Sequence, residues 1–149
     1  MASSSKVNRL RAKTLTFKKI KVGDRHSFRR FIIEKDVKEF ARLTGDYNPL
    51  HMDEKFAKST QFRGRIIHGM LAASLFSTLI GMYCPGKYAL ILNQEISYIR
   101  PIRPNSRVLV IGEVVNKIDA VGVIVIKTLI RGADGNILIE GISKVKVTR

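Results

Sequence analysis

Two titratable side chains, Asp46 and His51, lie five residues apart in the stretch G-D-Y-N-P-L-H. Gly45 suits the end of a helix because it adopts a positive φ without a Cβ clash. Asn48-Pro49 marks a turn, since a proline disfavours the helical conformation in the residue before it. We therefore expect a stiff bend to bring Asp46 and His51 together, where a carboxylate and an imidazole can jointly activate one water molecule.

The same bend also has a purely structural explanation. Aspartate and asparagine are common in turns because their side chains bond nearby backbone groups. The types and spacing of Asp46 and His51 alone leave both explanations open. A second motif, H-G-M-L-A-A-S-L-F-S, begins at His68, seventeen residues after His51, and ends at Ser77.

In this order the two motifs resemble those of the MaoC-like (R)-specific enoyl-CoA hydratases, hot-dog-fold enzymes that act on acyl thioesters. The resemblance extends from about residue 15 to the end of the chain. It implies a hydro-lyase that reversibly adds water to (2E)-enoyl thioesters of coenzyme A or acyl carrier protein and forms (3R)-3-hydroxyacyl thioesters. The handedness is implied by the resemblance and not by any residue spacing.

The resemblance also implies roles for individual residues. Asp46 and His51 would bind and activate the water, and one of them would later give a proton to Cα of the substrate. Asn48 matches the asparagine of the family's D-x-N-P-x-H string and is expected to orient the water or Asp46. Ser77 matches a family serine that supports the catalytic histidine, although a serine inside a helix can also simply bond its own backbone.

Gly69 is the candidate for stabilising negative charge on the thioester oxygen. We expect it at or near the start of a long helix, where backbone N–H groups lack partners and the helix dipole favours an anion. A residue without Cβ would let the thioester approach closely. The alternative is that Gly69 only permits tight packing. We expect His68 to be structural, because the N–H of its neighbour already explains the motif.

Substrate binding is assigned to two further groups of residues. Ile80, Leu79 and Met82 are expected to wall an acyl pocket beside the long helix. Basic residues cluster at the predicted ends of the helix and strands, where they could steer coenzyme A phosphates or an acidic carrier protein. Arg100 and Arg103 are the two chosen as substrate-binding, although a generally basic surface explains any one of them equally well. The cluster comprises Arg63, Arg65, Lys87, Arg100, Arg103 and Arg107.

The elements that must hold these residues are predicted from apolar spacing. A strand is expected over residues 26–33, an amphipathic helix over 34–44 and a short helix around 53–58. Residues 66–84 carry no formally charged side chain and are predicted to form a long buried helix. A membrane span is rejected because polar residues and glycines interrupt the segment. The inward positions of the first helix are expected to be Val37, Phe40, Ala41 and Leu43.

Four strand-like runs follow the turn at Pro85-Gly86, and they complete the predicted domain. Ala133-Asp134-Gly135-Asn136 predicts a hairpin turn between the last two. The order of elements indicates an α+β class. The resemblance implies a single hot-dog domain, with a curved antiparallel sheet wrapped around the long central helix. The runs cover residues 88–99, 107–118, 122–131 and 137–147.

Length and composition limit the remaining possibilities. A chain of 149 residues suits one domain. The 27 Lys and Arg residues against 12 Asp and Glu residues give a formal net charge of +15, which favours an anionic partner. Cys84 is the only cysteine, so intrachain disulfides and zinc sites built on paired cysteines are excluded. We expect no cofactor and no metal, because no nucleotide-binding or metal-ligand motif is present.

The start of the chain is Ser-, Lys- and Arg-rich. Residues 1–14 are predicted to be a basic, flexible extension, and residues 15–149 the hydratase domain. We expect a cytoplasmic protein, or a mitochondrial one if the extension is a transit segment. A homodimer is expected, because the sheet would otherwise leave an edge strand open.

Two other functions compete with hydration. A hot-dog thioesterase commonly carries its catalytic carboxylate on the central helix, and residues 66–84 contain none. A basic nucleic-acid-binding protein is suggested only by the net charge, since aromatic residues make up 7% of the chain and no binding signature occurs. We therefore expect thioester substrates, no nucleic acid and no membrane span.

Overall fold

A computed structural model describes residues 11–149, in which five antiparallel strands form one sheet beside a helix. The strand order across the sheet is β1-β3-β4-β5-β2, so β1 and β2 form its two edges. The predicted α+β class is confirmed. The strands are β1 (Arg25–Ile32), β2 (Ala89–Tyr98), β3 (Ser106–Ile118), β4 (Val123–Gly132) and β5 (Ile137–Val147).

Helix α1 (Glu34–Thr44) forms over the predicted residues and buries Val37 and Ala41. Leu43, predicted to face inward, is instead 75% exposed. Ile33 cannot cap the helix with a polar side chain, and a distant residue supplies the missing acceptor. The side-chain oxygen of Asn105 accepts a hydrogen bond from the N–H of Glu34 at 3.2 Å.

Two short helices follow the bend: α2 (Pro49–Met52) and α3 (Glu54–Ser59). The prediction of a short helix around residues 53–58 is confirmed by α3. Helix α2 was expected only as a turn. It forms because proline is favoured at the first position of a helix, and because the side chain of Asn48 accepts a hydrogen bond from the N–H of Leu50 at 2.9 Å.

The central helix consists of α4 (Gly69–Ala73), α5 (Leu75–Thr78) and a π-helical turn (Leu79–Tyr83). It is shorter than the predicted range of 66–84. Residues 66–68 precede it without regular secondary structure, and there the N–H of Ile67 bonds the carbonyl of Ile102 at 2.8 Å. The helix is also not buried all round, because its exposed side carries Met70, Ser74, Ser77 and Thr78.

The core lies between the central helix and the inner face of the sheet. Phe76 and Leu79 pack with residues of β1, β3, β4 and β5 in one cluster. Ile80 packs with Val114, Ile124 and other residues in a second cluster. Each such side chain contributes about 1.5–3 kcal/mol when it is removed from water. The central helix is therefore held to the sheet along its length.

The predicted N-terminal extension falls partly outside the described residues, because residues 1–10 are not described. Residues 13 and 14 contact the last turn of the central helix and the chain that follows it. The N–H of Lys13 donates to the carbonyl of Met82 at 2.9 Å, and Thr14 bridges Gly86. Within residues 11–149, no helix has both the length and the apolarity needed to cross a bilayer.

Candidate active site

The bend that carries Asp46 is fixed by its own hydrogen bonds. Gly45 leaves α1 with a φ of 78°, as the sequence predicts. One carboxylate oxygen of Asp46 accepts a hydrogen bond from the N–H of Asn48 at 3.2 Å. The Asn48 side chain caps α2, so the structure gives it a local role in the bend. The second carboxylate oxygen of Asp46 is left to face the site, and the side chain is half exposed.

His51 lies on α2 with its ring orientation fixed by a backbone carbonyl. Its Nδ1 atom is 2.8 Å from the carbonyl oxygen of Ile66. Because a carbonyl can only accept, Nδ1 must carry a hydrogen. In the neutral ring Nε2 then holds a free lone pair, so His51 can accept a proton through this atom.

His68 is buried behind these two residues. Its Nε2–H donates to the backbone carbonyl of Asp46 at 2.9 Å. The ring packs against the His51 ring, with centroids 4.1 Å apart, and against Phe40 at 4.9 Å. Its Nδ1 atom is buried without a hydrogen-bond partner among the described residues. His68 thus links the backbone of the Asp46 bend to the start of the central helix.

Asp46, His51 and His68 offer ligand atoms that lie within 4.8 Å of one another. Such a group could be considered as a metal site. Nδ1 of His51 and Nε2 of His68 both donate to backbone carbonyls, so the lone pairs left for a ligand or a proton are those of Nε2 of His51 and Nδ1 of His68. The same free Nε2 of His51 can accept a proton from water.

A cavity of about 500 Å³ opens beside His51. Its walls are mostly apolar, and His51 and Gly69 lie on the same cavity. Arg100 also lines this cavity, and its role in substrate binding stays a prediction. An apolar cavity with a few polar groups is typical of a small-molecule site. The remaining lining residues are Phe62, Ile66, Ile67, Met70, Tyr98, Ile99, Pro101, Ile102 and Ile139.

Gly69 is the first residue of the central helix, as predicted, but its missing Cβ has a packing reason. A Cβ at Gly69 would lie 2.7 Å from Cε1 of Tyr98. The Tyr98 ring therefore fills the space that a side chain would need. The structure supports the packing explanation for the glycine, and Gly69 also lines the cavity at the first position of the helix, where its N–H has no intrahelical acceptor.

Four other predicted residues do not line this cavity. Leu79 and Ile80 are almost completely buried in the core, and Met82 follows them in the π-helical turn and does not line the cavity. Ser77 is exposed, and its side chain makes no hydrogen bond to His51 within the described part of the chain. The expectation that these side chains wall the acyl pocket or support His51 is corrected by their positions, because the π-helical turn directs Leu79 and Ile80 into the sheet.

The predicted basic cluster is not uniformly available to a ligand. Arg65 donates to both oxygens of Glu34 at 2.7 and 2.9 Å and to Glu54 at 3.2 Å. Arg103 donates to the backbone carbonyls of Arg65 and Phe62. The hydrogen bond from Arg65 holds the pKa of Glu34 below its usual value and raises the pKa of Arg65. The assignment of Arg103 to substrate binding is therefore corrected to a structural contact.

Sequence reasoning missed Tyr98, Ile66 and Ile102. Each acts through a contact between segments far apart in the chain, and an isolated tyrosine or isoleucine carries no motif. The only sequence signal for any of the three was that Tyr98 is an aromatic residue near the end of a predicted strand. Its contact with Gly69 could be found only once the fold was known.

Comparisons with known proteins agree on one family. The sequence model described as "MaoC like domain" matches residues 5–132. An (R)-specific enoyl-CoA hydratase from Rhodospirillum rubrum is 34% identical over 131 residues, which is 88% of this chain and 90% of that protein. One from Aeromonas caviae is 42% identical over 83 residues, which is 56% of this chain and 62% of that protein.

The fold agrees as well. The solved structure of an unliganded R-hydratase from Pseudomonas aeruginosa superposes with a TM-score of 0.86 at 29% sequence identity. The superposition covers 91% of this chain and 87% of that protein. The family resemblance inferred from the two motifs is confirmed.

Proposed function

Because the chain belongs to the family of MaoC-like domains, we propose that it is a hydro-lyase that reversibly hydrates (2E)-enoyl thioesters to (3R)-3-hydroxyacyl thioesters. One observation of the site carries the proposal. His51 is held by the Ile66 carbonyl with Nε2 free, a ring nitrogen of His51 lies within 4.8 Å of an Asp46 carboxylate oxygen, and His51 lines an apolar cavity. The (R) handedness follows from the names of the relatives.

The first chemical step is the addition of water. A water molecule binds between Nε2 of His51 and the carboxylate of Asp46. As its oxygen forms a bond to Cβ, one of its protons passes to this pair, and the π electrons of the double bond move through Cα towards the thioester oxygen. Such general base catalysis typically contributes about 10²–10⁴-fold.

The charge that develops on the thioester oxygen needs a donor. The N–H of Gly69 is at the first position of the central helix, where no intrahelical acceptor exists, and Gly69 lies on the cavity. A fixed donor of this type contributes about 3–4 kcal/mol to the transition state. The proton held by Asp46 and His51 then passes to Cα, which restores the carbonyl and completes the addition.

Two further residues, Asn48 and Arg100, are assigned roles in this reaction. Asn48 keeps the bend rigid so that Asp46 faces the water. Arg100, on the cavity wall, contacts the phosphate-bearing arm of coenzyme A or of an acyl carrier protein. Since coenzyme A and the carrier-protein arm share a phosphopantetheine group, one cation can serve both.

The direct test is to incubate the protein with crotonyl-CoA and follow the enoyl absorbance, with the product separated by chirality. Loss of absorbance with formation of the (3R)-3-hydroxybutyryl thioester is expected. Release of free thiol without loss of the double bond would instead identify a thioesterase. Crotonyl thioesters of coenzyme A and of carrier protein, compared at equal concentration, identify the carrier.

The active form is a homodimer in which β2 of one copy pairs with β2 of another. Strand β2 has a hydrogen-bonding partner on one side only, β5. Leu90 and Leu92, both on this edge strand, are more than half exposed. An open apolar edge is usually covered in a native protein. Tyr98 ends the same strand and lines the cavity, so the acyl pocket would lie close to the dimer interface.

For the compartment, the cytoplasm is favoured over the mitochondrial matrix. A single cysteine is compatible with either. Localisation of the full chain, and of a version without residues 1–14, each fused at the C-terminus to a fluorescent protein, distinguishes the two.

A further inference from the structure

The orientation of His51 depends on a short segment without regular secondary structure, residues 65–67, which precedes the central helix. The carbonyl of Ile66 accepts the hydrogen bond from Nδ1 of His51 at 2.8 Å. The next residue, Ile67, donates its N–H to the carbonyl of Ile102 at 2.8 Å. An acceptor can orient an imidazole only if the acceptor itself is fixed, so the contacts of this segment decide where Nε2 of His51 points.

Arg103, in the loop between β2 and β3, also fixes this segment. Its guanidinium donates to the carbonyl of Arg65 at 3.1 Å and also to the carbonyl of Phe62. The backbone on the N-terminal side of Ile66 is thereby held, as the Ile102 contact holds it on the C-terminal side.

Arg65 joins three elements through one side chain. It binds Glu34, the first residue of α1, through two parallel hydrogen bonds of 2.7 and 2.9 Å. It donates to Glu54, the first residue of α3, at 3.2 Å, and Nη1 lies 3.4 Å from the carbonyl oxygen of His51. This planar two-point geometry is available to a guanidinium and not to an ammonium group.

Helix α2, which carries His51, has only four residues. A helix of one turn is not stable by itself, because its first turn is entropically costly to form. The position of the His51 backbone must therefore come from its neighbours. Arg65 is well placed for this, since its side chain is only 19% exposed and water competes weakly for its hydrogen bonds.

We propose that Arg65 is a positioning residue of the active site. Its guanidinium fixes the positions of α1, α3 and the His51 backbone relative to one another. Because the His51 backbone is fixed, its Nδ1–H can reach the Ile66 carbonyl. The proposal rests on the function proposed above for His51. Arg65 is assigned no contact with substrate and no proton transfer, because Glu34, Glu54 and the His51 carbonyl engage four of its five N–H groups and it does not line the cavity.

Turnover gives the first test. In Arg65→Ala, measured well below its melting temperature, we expect kcat to fall by about tenfold to 10²-fold, since small misplacements of a catalytic group have effects of this size. KM should change little. Added ethylguanidinium at millimolar concentration should restore part of kcat in a saturable manner, because it can bind between the two free carboxylates. The kcat of Arg65→Lys should lie between those of wild type and Arg65→Ala. If the alanine variant does not fold, the lysine variant is used for the test.

A measurement independent of turnover gives the second test. In protein labelled with ¹⁵N-histidine, the side-chain nitrogen signals of neutral His51 should report a hydrogen on Nδ1, with the signals assigned by their loss in His51→Ala. In Arg65→Ala or Arg65→Lys these signals should move towards a mixture of the two neutral forms. If the signals move but neither wild type nor variant turns over enoyl thioesters, the positioning role stands and the proposed function fails.

Two controls separate positioning from general stability. Ile124→Val removes one methyl group from the second core cluster, away from residues 65–67, and should lower the melting temperature with kcat unchanged. Arg25→Met removes another Arg–Glu pair, with Glu113, and should leave the His51 signals unchanged. Wild-type kcat and unchanged His51 signals in both Arg65 variants would overturn the proposal. A loss of kcat without any movement of those signals would overturn it as well.

Discussion

The Nε2 atom of His68 donates to the backbone carbonyl of Asp46 at 2.9 Å, whereas the nearest carboxylate oxygen, Oδ2, is 3.9 Å away. The buried histidine therefore holds the main chain of the bend and leaves the carboxylate free. A change of the Asp46 side chain should leave the histidine contact in place. The fold of the bend and the chemistry of the carboxylate can thus be tested separately.

Asp46→Asn should keep the fold and remove activity. Asparagine has nearly the same shape and can still accept the N–H of Asn48. It cannot act as a base, so kcat for crotonyl-CoA hydration should fall by about 10²–10⁴-fold. Thermal melting by circular dichroism should move little. A folded Asp46→Asn protein with wild-type turnover would contradict the mechanism.

His51→Ala should cause a loss of kcat of similar size. If the two residues act on one water, the double variant should be little worse than either single variant, because groups that act as a unit are not additive. Steady-state kinetics of the two single variants and the double variant measure this coupling. Multiplicative losses would show that Asp46 and His51 act in separate steps.

Gly69→Ala should lower the free energy of unfolding, because the new side chain would clash with Tyr98. The new methyl group would overlap the tyrosine ring, and overpacking of this kind costs about 1–3 kcal/mol. Tyr98→Ala in the same protein should recover part of the free energy of unfolding, which is measured with urea. If the second change brings no recovery, the glycine is required for another reason, such as the approach of the thioester.

Leu92→Lys should disrupt the proposed dimer. Leu92 is 57% exposed on the edge strand, and a lysine there would oppose edge pairing. Light scattering after size exclusion should show a monomer for Leu92→Lys and a dimer for wild type. Val121→Lys is the matched control, because Val121 is 50% exposed on a turn outside β2. A monomeric and fully active wild-type protein would remove the dimer from the proposal.

Glu34→Gln should lower stability in a pH-dependent way. The pKa of Glu34 is lower in the folded protein than in the unfolded chain, so its contribution is present above the unfolded value of about 4.3 and is lost as the pH falls through the folded value. Urea unfolding should show a difference of at most about 1 kcal/mol at pH 7, which disappears in acid. Glu39→Gln, in an exposed pair with Lys35, should show a smaller difference. A difference that stays constant from pH 7 into strong acid would contradict this cause.

Local sequence signals predicted the elements that carry the site. Gly45 and Pro49 define the bend through their own backbone restrictions, and the apolar spacing of residues 34–44 defines α1. The start of the central helix was predicted three residues too early, at Ile66. The N–H of Ile67 bonds Ile102, a tertiary contact that spacing along the chain does not record.

The contacts that support the site could not be predicted from the sequence, because they too are tertiary contacts. Arg65 looked like one of several basic residues that could attract a phosphate, yet it is engaged by Glu34, thirty-one positions away. Leu79 and Ile80 looked like pocket walls because they are apolar and close to the motif. Their burial in the core depends on the register of the π-helical turn against the sheet.

The 65–67 segment is fixed by residues that are synthesised after it. Every proposed reacting group lies between Asp46 and Gly69, in the first half of the chain. The carbonyl and guanidinium that fix this segment belong to Ile102 and Arg103, and Ile139 closes the far wall of the cavity. A nascent chain on the ribosome thus carries the proposed reacting groups long before it can arrange them, and we expect the proposed thioester turnover to begin only after the last strand has emerged.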